Sequence, residues 1–174
     1  MTNLPIKLKI ALDTGCLNVK QNNRILNKIE KLANQGYIEI TTSTVLEREQ
    51  KEKIIGASWL RKYLNKINKL SKQKEVAKIG KSKIGEAVLG SKDVQQVIDD
   101  VIPKNKRNEY DRWILHTAIV HKNDYFVTKN PNDFIKNGKR AKLEVLGIKI
   151  REPNDELLKE IELELELNSY KLHP

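Results

Sequence analysis

Cysteine is almost missing from these 174 residues: Cys16 is the single one. That excludes an internal disulfide and a cysteine-rich zinc site, and it fits a reducing compartment. Long apolar runs are missing as well. No stretch approaches a membrane span, and the first apolar segment is interrupted by Lys7 and Lys9, where a secretory leader would run unbroken. A cytoplasmic protein with no membrane partner is expected. No repeat, low-complexity tract or interdomain linker stands out, and the length suits one domain with a core of its own. Acids are in deficit: 23 Asp and Glu face 33 Lys and Arg, a formal charge of +10. Such a surface attracts polyanions, either nucleic acid or an acidic protein partner.

Several chemistries are excluded by their missing parts. "GKS" at 80–82 lacks the upstream glycine of a phosphate loop, since position 75 is glutamate. No serine elbow or cysteine–histidine arrangement occurs. His116 and His121, five apart on one predicted helix, diverge by about 140° and make a poor metal pair. His116 is expected to be an exposed helix histidine, with the cleft mouth as the alternative.

What is present reads as strands alternating with helices. Ile6, Leu8, Ile10 and Leu12 alternate as a strand should, and Asp13 stands where it stops. Ile25, Leu26, Ile29 and Leu32 recur at helical spacing before Gly36; "YIEITTS" is a second strand. A helix over Trp59–Leu70 follows, and residues 71–92 show brief alternation suited to a hairpin or an ordered loop. "SKDVQQVIDDVIP" predicts a short helix, "DRWILHTAIVHK" a strong one, and "DYFVTKN" a strand. "LEVLGIKIREPNDELLKEIELELELN" predicts a short last strand, a proline-marked turn and an acidic terminal segment. The final "EIELELEL" has a strand's period, yet Leu157, Leu158, Ile161 and Leu165 share a helical face, so a helix is expected. Trp59 and Trp113 fall on or beside apolar stripes and are expected in the core. Alternation of this kind predicts an α/β domain with a parallel sheet, whose chemistry gathers beyond the carboxyl ends of the strands.

Three acids take comparable places there: Asp13 after the first strand, Glu47 in the helix after the second, and Asp111 opening the helix that leads into "YFVTKN". Each has an ordinary structural reading as well. Asp13 could shape a turn, Glu47 could close a capping box with Thr44, and Asp111 could favour the positive end of its helix. Asp111, however, lies on the stripe of Ile114, Leu115 and Ala118, and a buried acid needs a partner. Three acids at one edge repel one another unless a divalent cation or basic groups compensate them, and hard oxygen ligands suit Mg2+ or Mn2+. Basic residues outnumber acids thirteen to five between 60 and 108, a flank suited to phosphates, although a lysine-rich solvated helix would read alike.

The stretches "ALDTGCLN", "TSTVLERE", "YDRWILHTAIVHKNDYFVTKNPNDF" and "GIKIREPNDELLKEI" resemble, in order, the PIN-domain nucleases, VapC-like ribonucleases among them. The resemblance spans most of the chain apart from a lysine-rich insertion at about 56–105, within a single PIN-like domain of 1–174. It implies a central parallel sheet of order 3-2-1-4-5 flanked by helices, and a metal-dependent endoribonuclease leaving 5′-phosphate and 3′-hydroxyl ends. Asp13, Glu47 and Asp111 become the acidic cluster. Many members carry a fourth aspartate where this chain has Asn130; some carry asparagine there and an aspartate before the phenylalanine, matching Asp133. Thr128 would orient Asp13 or the attacking water, and "NPND" could equally be a plain turn. RNA is the implied substrate. A cognate antitoxin is an open partner, as is a second copy through Leu163 and Leu167. The rival reading is a catalytically weakened module that binds RNA or a protein.

Overall fold

The computed structural model describes residues 7–17, 22–46, 49, 70–77, 87–106 and 108–172. Strand β1 (Leu8–Leu12) buries Leu8, Ile10 and Leu12 on one face and Ala11 on the other, as expected for a strand covered on both sides. It is the middle of a five-stranded parallel sheet. β2 (Ile38–Ser43) pairs with one side of β1, Leu8 opposite Ile38 and Ala11 opposite Thr41; β6 (Tyr125–Val127) pairs with the other, Leu12 opposite Val127. β3 (Ser71–Gln73) extends the sheet beyond β2, and β7 (Lys149–Arg151) extends it beyond β6. The order is β3-β2-β1-β6-β7, which is 3-2-1-4-5 when the sheet's own five strands are counted. The labels differ because β4 (Glu75–Val76) and β5 (Ala87–Val88) pair separately, in parallel, as a two-stranded sheet. The hairpin or ordered loop expected within 71–92 falls mostly on 78–86, outside the described residues.

Helices supply the cover. α1 (Arg24–Asn34) starts at Asn23, whose side chain accepts from Leu26 N at 2.9 Å, and the turn beyond it is made at Gly36, φ +84°, a conformation favouring glycine. α2 (Lys92–Val101) lies against α3 (Glu109–Val120) and against α5 (Lys139–Glu144). α6 (Asp155–Leu172) buries Leu157, Leu158 and Ile161 and leaves Leu163 and Leu167 exposed, so the alternating "EIELELEL" is helical. Tyr125 donates to Glu164 Oε1 at 2.6 Å, and Arg151 holds Glu144 and Glu160, tying α5 and α6 to the sheet's last strands.

The short strand expected in "LEVLGIKI" is β7, set off by Gly147, φ +84°, from α5, on which Leu143 is buried. Two expectations change. "NPND" is not a plain turn but the start of α4 (Pro131–Phe134), with proline tolerated at the first position because its missing N–H would lack an intrahelical partner anyway. His116 is not exposed: it is 97% buried, because α3 is enclosed on all sides from Trp113 to Ala118. Trp113 is in the core as expected, its Nε1 donating to Val76 O at 2.7 Å. The helix expected over 59–70 lies outside the described residues except for Leu70, as does much of the insertion. Among the described residues no helix is long and apolar enough to cross a membrane.

Candidate active site at the carboxyl edge of the sheet

β1 delivers Asp13 to the end of the sheet, where its backbone N–H still pairs with Val127 O at 2.9 Å, so the residue is fixed by the strand beside it. Its side chain is 96% buried. A buried carboxylate persists only when hydrogen-bonded, and both oxygens are. Oδ1 accepts from Thr14 N at 2.7 Å, capping the turn of 3-10 helix over Thr14–Cys16, and Oδ2 accepts from Thr128 Oγ1 at 2.8 Å. Each carboxylate oxygen has lone-pair capacity for more than one partner. Behind it, burial and then the Asp13 charge push the Cys16 thiol far above its ordinary pKa, so it stays protonated.

Thr128, fully buried just past β6, uses its hydroxyl twice: it donates to Asp13 and accepts from Asn130 N at 3.0 Å. Asn130 in turn directs its amide Nδ2 at two acids, Asp133 Oδ2 at 2.7 Å and Asp111 Oδ2 at 3.3 Å. That orientation is the favourable one, because the amide oxygen would repel both carboxylates. Asp111 comes from the first turn of α3 and Asp133 from α4. On the other side of Asp13, Thr14 Oγ1 donates to Glu49 Oε2 at 2.5 Å. One hydrogen-bonded path therefore runs Glu49, Thr14, Asp13, Thr128, Asn130, and there forks to Asp111 and Asp133.

Five of the six residues singled out in the sequence, Asp13, Thr128, Asn130, Asp111 and Asp133, thus stand together. Glu47 lies outside the described residues. Thr44, its suggested capping partner, accepts from the Glu75 N–H at 3.2 Å. Glu49 was not anticipated. The "LERE" stretch offers two acids two positions apart, and nothing local shows that the second reaches Thr14, 35 residues away.

Among the described residues no three Asp, Glu, His or Cys side chains are grouped to hold an ion between them alone. The donor set still fits a hard cation in its chemistry: carboxylate oxygens, no thiolate, and acids linked through neutral Thr128 and Asn130. Mg2+ keeps several waters and takes one or two carboxylates together with substrate phosphates, so it needs no all-protein cage. Positive charge flanks the acids. Lys129 is exposed beside the Thr14–Cys16 turn, and Lys136, Arg140 and Lys142 are exposed on α5 and the loop before it. Most lysines of the 60–108 flank before 87 lie outside the described residues.

The chain matches no family model and no curated protein. Solved structures are similar. A chain of VapBC2 from Rickettsia felis, bound to a DNA fragment from their promoter, superposes at TM-score 0.50 with 13% identity, over 83% of this chain and 98% of that one. A chain of DNA-bound VapBC from Salmonella typhimurium gives TM-score 0.49 and 16% identity, over 84% and 99%. At such identities the likeness to the Rickettsia chain speaks for the arrangement of strands and helices, and for nothing finer.

Proposed function

We propose that this chain, whose fold is PIN-like, is a divalent-metal-dependent endoribonuclease hydrolysing RNA phosphodiesters. The observation that carries the reading is the path from Glu49 through Asp13 to Asp111 and Asp133, four acids joined at the carboxyl edge of a parallel sheet. Asp13 and Asp111 would hold Mg2+ or Mn2+, with Glu47 and Asp133 as further ligands. A bound cation supplies an activated water and offsets charge on the attacked phosphate. The protein's own contribution is positional. Thr128 fixes the Asp13 carboxylate, Asn130 fixes the two acids beyond it, and Lys129 with the basic run before and along α5 neutralises the phosphodiester backbone. In-line attack would leave 5′-phosphate and 3′-hydroxyl ends.

The assay is cleavage of structured and single-stranded RNA with Mn2+, Mg2+ or chelator, beside Asp13→Asn. Cation-dependent cleavage lost in the variant supports the reading; no cleavage by the parent protein with either cation overturns it. One observation favours a second reading. Asn130 offers an amide where many such nucleases carry a fourth aspartate, so the chain could instead bind RNA or a protein without turnover.

The Rickettsia chain comes from a VapBC complex, and that likeness supports reading this protein as the toxin of a toxin–antitoxin pair, with a cognate antitoxin; a cytoplasmic setting is part of the same proposal. The exposed Leu163 and Leu167 of α6 would be the contact with a second copy. Co-purification with the product of a neighbouring small gene tests the first, and the mass in solution of Leu163→Lys tests the second.

A further inference from the structure

An asparagine standing before a helix ordinarily caps it, its side-chain oxygen accepting from the first free N–H groups. Asn130 holds that position before α4 and makes no such bond. Its carboxamide is spent on acids instead, Nδ2 donating to Asp133 Oδ2 at 2.7 Å and to Asp111 Oδ2 at 3.3 Å. The first bond is local, three residues along. The second is not: Asp111 lies in the first turn of α3, so one side chain joins the starts of two helices. An amide nitrogen carries two N–H donors, enough for one on each acid. The backbone beneath it is fixed, because Asn130 N donates to the buried Thr128 Oγ1 at 3.0 Å.

Carboxylates that share one nitrogen repel each other, and the amide answers with the positive end of its dipole turned to both. That is the service a divalent cation would render them. A cation taken by the same two oxygens, however, meets two N–H groups aimed at it, and like signs repel. The carboxamide can relieve this without any movement of the backbone. Its nitrogen and oxygen ends are nearly equal in size and shape, and the torsion that exchanges them, an sp3–sp2 bond, is soft. Asn130 is half-buried, and a group that turns within its own outline needs no new space. Turned over, it offers a neutral carbonyl oxygen, a ligand suited to Mg2+ or Mn2+.

We propose that Asn130 is a two-position clasp of the acidic edge: without a cation its Nδ2 holds Asp111 and Asp133, and when a divalent cation takes those carboxylates the carboxamide turns over and presents Oδ1 to it. The clasp rests on the metal-dependent reading for its cation. An aspartate at this position could do only half of this. It would serve the cation, yet in the cation's absence it would add a third charge beside Asp111 and Asp133. The asparagine keeps the edge assembled before the cation arrives and still supplies an oxygen afterwards.

The clasp is tested by binding, without reference to cleavage. Mg2+ is titrated into the full protein, first stripped with chelator, while NMR follows the Asn130 side-chain NH2 pair and the carboxylate carbons of Asp111 and Asp133. The pair is identified as the one missing from Asn130→Asp. Its protons, downfield while they lie on carboxylates, should move upfield as Mg2+ shifts the two carbons. Calorimetry then reads the oxygen's part. Asn130→Ala, which has neither end, should weaken Mg2+ binding at least about tenfold, whereas Asn130→Asp should bind it no more weakly than the parent. If the alanine variant fails to fold, the NH2 signals of the parent protein decide alone. Should the carbons respond to Mg2+ while the NH2 protons stay, or should the alanine variant bind Mg2+ more tightly than the parent, Asn130 is a fixed spacer: the inference is overturned and the metal reading stands. If neither carbon responds, no cation is held at this edge, and the metal reading falls together with the clasp.

Discussion

Thr128 Oγ1 donates to Asp13 Oδ2 at 2.8 Å, joining the ends of two neighbouring strands across 115 residues of sequence. Neither partner is adjustable, since Asp13 is 96% and Thr128 fully buried. The threonine also accepts from Asn130 N, so one hydroxyl sets the position of an acid and of the amide that spans two more.

Thr128→Val should therefore act on stability and activity together. It leaves a buried carboxylate short of a donor and a partly buried N–H short of an acceptor, a loss of roughly 1–3 kcal/mol, measured by denaturant unfolding. Single-turnover cleavage should fall at least about tenfold, and Thr128→Ser should recover both. Equal activity in the valine variant would show that Asp13 needs no alignment.

Asn130→Asp puts a carboxylate where the amide now faces Asp111 at 3.3 Å and Asp133 at 2.7 Å. Without divalent cations the variant should melt below the parent protein, and Mn2+ should raise its melting temperature by more than it raises the parent's. Asp133→Asn should cut cleavage sharply with little change in RNA affinity. Identical Mn2+ responses in Asn130→Asp and parent would remove the cation from this edge.

His116 gives the protein a pH dependence of definite sign. Burial depresses its folded-state pKa below the ordinary 6.5, so the unfolded chain binds the proton first. Its contribution is complete above that value and is lost as pH falls from it towards the folded pKa. Asp99 acts lower: burial would raise it, but Lys104, Gln95 and Arg112 bring it below 3.8, so its share goes only beneath that value. Denaturant midpoints between about pH 7.5 and 5 should fall more in the parent than in His116→Gln; parallel curves would contradict the burial of the imidazole.

Cys16 should resist alkylation in the folded protein, because burial and the nearby Asp13 charge hold its thiol protonated. Its rate of modification by iodoacetamide should follow global unfolding and rise with denaturant. Rapid labelling under native conditions would mean that the Thr14–Cys16 turn opens on its own.

How far the sequence foretold this depends on the reach of each interaction. Asp13 was legible because a strand's alternation has an end, and Asp111 because it continues a helical stripe. β3, β4 and β5 have three residues or two, too few for any period to show, and they are set by pairing with β2 and with one another. His116 was misread for a related reason. A stripe argument assumes one wet face, and α3 has six consecutive buried residues from Trp113 to Ala118. Glu49 and the forked role of Asn130 depend on partners that the fold alone brings near.

The pairing of β1 with β6 also orders events during synthesis. The first strand and Asp13 leave the ribosome before Val127, Thr128 and Asn130, which fix them and follow more than a hundred residues later. Closing so long a loop is slow and comes late. A nascent chain that has reached only the insertion holds Asp13 without the threonine or either distal acid, so the acidic edge is assembled only after Asp133 has been made.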